Sequence, residues 1–170
     1  MAMKNSGPTL QVAFRRRREG VTDYSKRLAM LTGKVARLVV RRTQHYVVVQ
    51  IVQFTPEGDK TVASATSKEL SKMGFTSLSK VNTPAAYLTG MIAAGKAVKK
   101  GVKNAVVDLG RQTSSKGSIL YAAAKGAADG GLEAPLGKDV IPSQERIEGK
   151  HLNENVGAEF TKALEKIKKG

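Results

Sequence analysis

Residues 37–54 read RLVVRRTQHYVVVQIVQF, and this stretch decides the fold. Residues 37–42 and 46–54 are rich in Val and Ile, which suit a pleated, half-buried surface, and the short polar link between them suggests a β-hairpin. Along the second strand Val47, Val49 and Ile51 point one way while Tyr46, Val48, Gln50 and Val52 point the other, because strand side chains alternate. Both faces carry apolar residues, so this strand is expected inside the sheet.

Beyond the hairpin, residues 55–59 (TPEGD) have the Pro and Gly placement of a tight reversal, and residues 61–66 make a third, small-residue strand. Three consecutive antiparallel strands follow. Upstream, Thr22 caps a helix whose apolar residues Tyr24, Leu28 and Leu31 recur at helical spacing, with Gly33 placed to end it and Lys26 and Arg27 facing outward. Downstream, residues 67–73 suggest a short helix, and the chain to Asn82 is loop-like. Thr83 then supplies an N-cap with Pro84 at the first helical position, and Gly101 stops the helix after Lys99 and Lys100. Its expected buried face is Leu88, Met91, Ile92, Gly95 and Val98, with Gly95 permitting close approach to the sheet. Residues 105–109 read as a further strand and residues 118–130 as an Ala-rich helix behind it. The predicted fold class is α/β: a two-layer sandwich with a mixed sheet, three antiparallel strands plus a further strand, and packed helices. Residues 1–21 form a basic arm, residues 22–131 the core, and residues 132–170 an extended tail. In that tail residues 145–150 suggest a helical turn, and Val156, Phe160, Leu164 and Ile167 mark a last amphipathic helix that needs a groove on this chain or another.

Lys and Arg number 29 against 14 Asp and Glu, a formal net charge of +15. A compact chain with that excess repels itself unless a polyanion sits against it, so a polyanionic partner is the first expectation. No apolar run approaches the roughly 18–20 residues that span a bilayer, and no signal-peptide core is visible, so a soluble, intracellular protein is expected. Without Cys there is no disulfide, thiolate zinc site or cysteine nucleophile, and His45 and His151 are the only imidazoles. The acids are scattered and neither His has a nucleophile or metal spacing, so no enzyme, cofactor or metal site is expected. Aromatic residues make up 5% and Trp is absent, which favours contact with RNA backbone and shape over stacking of successive bases.

Positive charge is concentrated early: residues 1–50 hold eleven Lys or Arg against Glu19 and Asp23 alone. Arg15, Arg16, Arg17 and Arg18 suit forked contacts to phosphate oxygens, and binding that releases condensed counterions should weaken steeply with salt. The competing reading is a solvated basic tail or a targeting patch. Arg37, Arg41, Arg42, His45, Tyr46 and Gln50 cluster on or beside the hairpin, where they would meet an RNA groove read by shape; otherwise Tyr46 is core and His45 a turn residue. Residues 110–117 (GRQTSSKG) follow a strand and open a helix, but they lack the Gly-Lys-Ser/Thr run of a nucleotide-binding P-loop. Arg111, Lys116 and backbone amides there would hold an RNA phosphate at the helix N-terminus, or the segment is a plain polar loop. Asp108 ends the strand, and a hydrogen bond from it is expected to fix that loop.

Ordered motifs then carry a family likeness: Arg15 to Gly20 followed by Thr22, Asp23 and Tyr24, Lys26-Arg27-Leu28, Arg37 to Arg41, His45-Tyr46-Val47 with Gln50, residues 61–65, Ala86 to Gly90, Val107 to Gly110, Gly117-Ser118, and Pro142 to Ile147 with Gly149 to His151. Over nearly its whole length the chain resembles the universal large-subunit ribosomal protein conventionally numbered eighteen, whose eukaryotic counterpart is numbered five. The segment after Leu132 is similar to the archaeal and eukaryotic branch, and an archaeal source is expected. The resemblance implies 5S rRNA bound by arm and sheet in the central protuberance of the cytoplasmic ribosome, contacts with 23S rRNA, and a neighbour in the ribosomal protein conventionally numbered five. No membrane and no homo-oligomer are implied. Carried over by position, the RNA-facing set is Arg15 to Arg18, Tyr24, Arg27, Arg37, Arg41, Arg42, His45, Tyr46 and Gln50. Charge and position add Lys26, Lys34, Lys68, Arg111 and Lys116. Two rival readings are a nucleotide-dependent α/β enzyme using residues 110–117 and a basic adaptor that docks its last helix on a protein.

Overall fold

The computed structural model describes Gly7 and residues 11–76, 79–152 and 154–169. Residues 1–6 and 8–10 of the expected arm, and residues 77–78 of the expected loop, lie outside that set. The elements are α1 (Arg15–Arg18), α2 (Tyr24–Thr32), β1 (Ala36–Arg42), β2 (Val47–Thr55), β3 (Gly58–Thr66), a 3₁₀ turn (Glu69–Met73), α3 (Thr83–Val98), β4 (Ala105–Asp108), α4 (Ile119–Asp129), a second 3₁₀ turn (Lys138–Val140), α5 (Gln144–Glu148) and α6 (Glu154–Lys169).

The sheet runs β3-β2-β1-β4, antiparallel except that β4 lies parallel to β1. β2 is interior, as its two-sided apolar pattern predicts, and Val47, Val49 and Ile51 are fully buried with Leu38 and Val40 of β1 beneath the helices. The mixed α/β sheet with packed helices is thus the predicted fold class. β3 begins three residues earlier than expected, because the reversal closes with Thr55 paired to Gly58.

α3 and α4 form the helical layer and approach closely through glycines. A Cβ on Gly90 would stand 2.0 Å from the Ala123 carbonyl oxygen, and one on Gly126 would stand 2.0 Å from that of Tyr87. Gly95, expected to make the close approach, has open space around it. Both N-caps fall one residue from their predicted places: the Asn82 side chain accepts from Ala85 N, putting Thr83 and Pro84 in the first turn, and Asp23 accepts from Lys26 N in place of Thr22. In each pair both residues are good caps, and only the backbone geometry separates them.

α2 lies the other way round from its predicted orientation. Tyr24 and Leu28 are 40% and 68% exposed, whereas Arg27 turns inward to an ion pair with Asp59 at 2.8 Å. The final helix finds its groove on this chain: Val156, Phe160 and Ala163 are buried in the same core, with the Phe160 ring 5.8 Å from that of Tyr87 on α3. Leu132 and Ile147 are buried there too.

Candidate nucleic-acid interface

The sheet face turned away from α3 and α4 carries Arg37, Val39 and Arg41 of β1 opposite Val52, Gln50 and Val48 of β2, with Asp108 of β4 beside Val39. Here five charged side chains form one chain of ion pairs. Arg27 Nη2 donates to both oxygens of Asp59 at 2.8 Å, Arg37 Nη2 donates to Asp59 at 2.6 Å, Arg37 Nη1 donates to Asp108 at 2.9 Å, and Arg41 Nη2 donates to Asp108 at 3.2 Å. Burial pushes both carboxyls up, but the guanidiniums outweigh it: Arg27 and Arg37 hold Asp59, and Arg41, the Gly110 N–H and Arg37 hold Asp108, below the usual carboxylate range.

Arg37 therefore corrects an expectation. Its side chain is 4% exposed and both terminal nitrogens are taken by carboxylates, so it aligns other side chains and offers no guanidinium at the surface. Arg41 also donates to the carbonyls of Val40 and Asp108, at 2.8 and 2.7 Å, yet its side chain stays 38% exposed. Gly110 makes that position possible: its φ is +62°, and a Cβ there would stand 2.9 Å from the Arg41 guanidinium. Asp108 accepts from Gly110 N at 2.8 Å, the loop-fixing bond predicted for it. Further along, Gln112 accepts from Arg42 N at 3.1 Å and donates to Arg42 O at 2.7 Å, which ties residues 110–117 to the end of β1. The Arg111 guanidinium lies against Gly20 and so reaches the arm.

Between α2, the arm and the end of the sheet opens a cavity of about 220 Å³ lined by Arg16, Lys26, Arg27, Arg37, Arg41 and Arg111, together with Asp23, Asp108 and neighbouring residues. Arg16 is held there by its Nε donating to Thr22 Oγ1 at 3.0 Å. The remaining predicted residues surround this cavity unevenly. Arg15 pairs with Glu19 at 3.2 Å, and Arg17 and Arg18 are exposed on the same four-residue α1. Exposed Arg42 and His45 and half-buried Tyr46 stand at the β1–β2 turn, where Lys68 Nζ lies 4.2 Å over the Tyr46 ring. Gln50 is half-buried on the open sheet face, Tyr24 is exposed on α2, and Lys116 is exposed in its loop. Lys34, exposed before β1 and beside Leu31 and Phe54, stands at the opposite end of the strand and is not brought into the cluster. Asp59, Thr22 and Gln112 organise the site but escaped sequence reasoning. Their partners lie far off in the chain or are arginines already assigned elsewhere, and only the TPEGD turn hinted that Asp59 stands at a strand start.

Among the described residues no three or more His, Asp or Glu gather as a metal-binding group, and no helix is long and apolar enough to cross a membrane. Residues 9–104 match the family described as ribosomal large subunit proteins 60S L5 and 50S L18. The chain belongs to that family. The large ribosomal subunit protein uL18 of Methanoregula boonei is 47% identical over 95% of this chain and 94% of its own length. The proteins of the same name from Korarchaeum cryptofilum and Methanothermobacter thermautotrophicus are 50% and 47% identical, over 91% and 87% of this chain and 76% and 77% of their own lengths. These relatives are archaeal. As a member of the family, the chain is a structural, non-enzymatic protein of the large subunit of the cytoplasmic ribosome. The enzymatic reading of residues 110–117 falls with that membership.

Proposed function

We propose that this chain binds 5S rRNA through its arm and the cationic end of its sheet, and helps attach that RNA to 23S rRNA in the central protuberance. It acts there as a single copy beside the large-subunit ribosomal protein conventionally numbered five. Residues 1–21 serve as the RNA-gripping arm, residues 22–131 present the sheet surface, and residues 132–170 brace the core. One observation carries the reading: arm, α2, β1 and the loop after β4 all contribute cations to one cavity. Cations gathered from separated parts of a chain repel one another, and a polyphosphate backbone is the partner that offsets this. Family membership supports the same partner class. Of the predicted contacts, Arg15 to Arg18, Tyr24, Lys26, Arg27, Arg41, Arg42, His45, Tyr46, Gln50, Lys68, Arg111 and Lys116 remain proposed, and Arg37 becomes a positioning residue.

A gel shift with 5S rRNA tests the reading. Changing Arg16 and Arg17 together to Glu should weaken binding at least ~100-fold, since lost phosphate contacts and added like charge act together. A salt titration against an unrelated structured RNA should show a lasting preference for 5S rRNA. Unchanged binding by the double variant, or no preference, would sink the proposal.

A further inference from the structure

Among the described residues two buried side-chain polar atoms have no hydrogen-bond partner: Arg37 Nε and Ser118 Oγ. Buried donors are almost always satisfied, so each is an exception: Ser118 Oγ lacks an acceptor, and Arg37 Nε sits behind terminal nitrogens already held by two carboxylates. Arg37 lines the cavity between the arm and the sheet. Ser118 lines a second cavity of about 350 Å³ together with Arg42, Gln112, Thr113 and Ser115. Arg111 lines both. The two orphan atoms therefore fall in adjoining basic cavities on either side of one arginine.

Each cavity suits an oxyanion. In the inner one the acids are already engaged, Asp108 by Arg37, Arg41 and Gly110 N, and Asp23 by Lys26 N, while Arg16, Lys26 and Arg111 form the rest of the wall. The outer one has no acidic residue in its lining. It also adjoins the start of α4, whose N-cap residue Ser118 makes no side-chain cap bond, so the first amides and the helix dipole favour a negative charge.

We propose that one RNA strand lays two of its phosphates in these cavities, one on each side of Arg111: Arg16, Lys26 and Arg111 hold the inner one against the wall that Arg37 backs, and Arg42, Arg111 and Ser118 Oγ hold the outer one. The inference rests on the RNA-binding reading and deepens it, by naming which groups of the RNA are held and where. Inorganic phosphate carries the same oxyanion and serves as the probe.

Amide NMR spectra of the full chain, titrated with inorganic phosphate at constant ionic strength, should show saturable shifts in two groups, around Gly110 and around residues 115–118. Arg111→Ala should weaken both several-fold, Lys26→Ala only the first, and Ser118→Ala only the second. Arg111 and Lys26 are exposed, so their variants are expected to melt with the wild type; Arg111→Lys, which keeps the charge, should lie between. In a parallel 5S rRNA gel shift, Arg111→Ala and Lys26→Ala should each flatten the dependence of log K on log salt by about one contact, with Arg111→Ala losing the more affinity at any one salt concentration. Shifts in neither group, shifts in one group only, or an Arg111→Ala effect confined to one group would each overturn the two-phosphate inference, and tight 5S rRNA binding would show that the RNA reading survives. Failure of both phosphate and 5S rRNA to bind would overturn the two together.

Discussion

Arg37 and Asp108 are opposite charges with only 4% and 5% of their side chains exposed, and they lie at the centre of a five-member chain of ion pairs. Removing one partner of such a pair leaves the other charged and buried, which typically costs about 3–5 kcal/mol. Asp108→Ala should lose stability of that order in urea unfolding; a loss below about 1 kcal/mol would mean that water already solvates Arg37. The same carboxyls set an acid limit. Asp59 and Asp108 are held below the usual range when folded, so on acidification the unfolded chain takes up protons first. Stability should be level above about pH 5, begin to fall below about pH 4, where free carboxyls titrate, and go on falling as pH passes the lowered folded values. Urea midpoints at several pH values check this, and Asp59→Asn should flatten the acid limb.

At the level of elements, the close crossing of α3 and α4 allows no side chain at Gly90. Gly90→Ala drives a methyl into the Ala123 carbonyl, and it should cost at least the upper end of the roughly 1–3 kcal/mol seen for overpacked cores. A melting temperature near that of the wild type would show that the helices separate freely. Phe160→Ala should cost about 3–5 kcal/mol, because the ring is buried against Tyr87, yet leave 5S rRNA affinity unchanged while the protein is folded. The strands and the order of elements were legible in residues 37–66 because alternation and turn chemistry are local signals. The caps slipped by one residue where two cap-forming residues stand side by side. What sequence could not show was long-range. Tyr24, Leu28 and Leu31 have helical spacing, but the Arg27–Asp59 pair, 32 residues apart, sets which side of α2 faces the sheet. Likewise Gly90 and Gly95 look alike until α4 is in place. The basic site was legible in part: its arginines were named, but the inward turn of Arg37 depends on Asp59 and Asp108 from other strands.

Across the whole molecule, a net charge of +15 gathers much of its density at one end of the sheet while the apolar core closes on the other side of that sheet. RNA that neutralises this end stabilises the folded state by mass action. A 5S rRNA excess of about 100 Kd should add about 2.7 kcal/mol, seen as a higher melting temperature that fades as salt is raised. A melting temperature indifferent to 5S rRNA would argue against the proposed partner.

The placement of Phe160 and Ala163 in the core has a consequence in time. Both cavities are built from residues no later than Leu120, whereas α6 lies further along the chain and leaves the synthesising ribosome after them. At about 5–20 residues per second, residues 121–170 take roughly 3–10 s to make. Until α6 docks, the flank of α3 that it covers is unsealed, exposed to proteases and to other hydrophobic surfaces. A released chain truncated at about residue 150 should therefore be cleaved far faster than one that carries α6, and equal resistance would mean that the core closes without that helix.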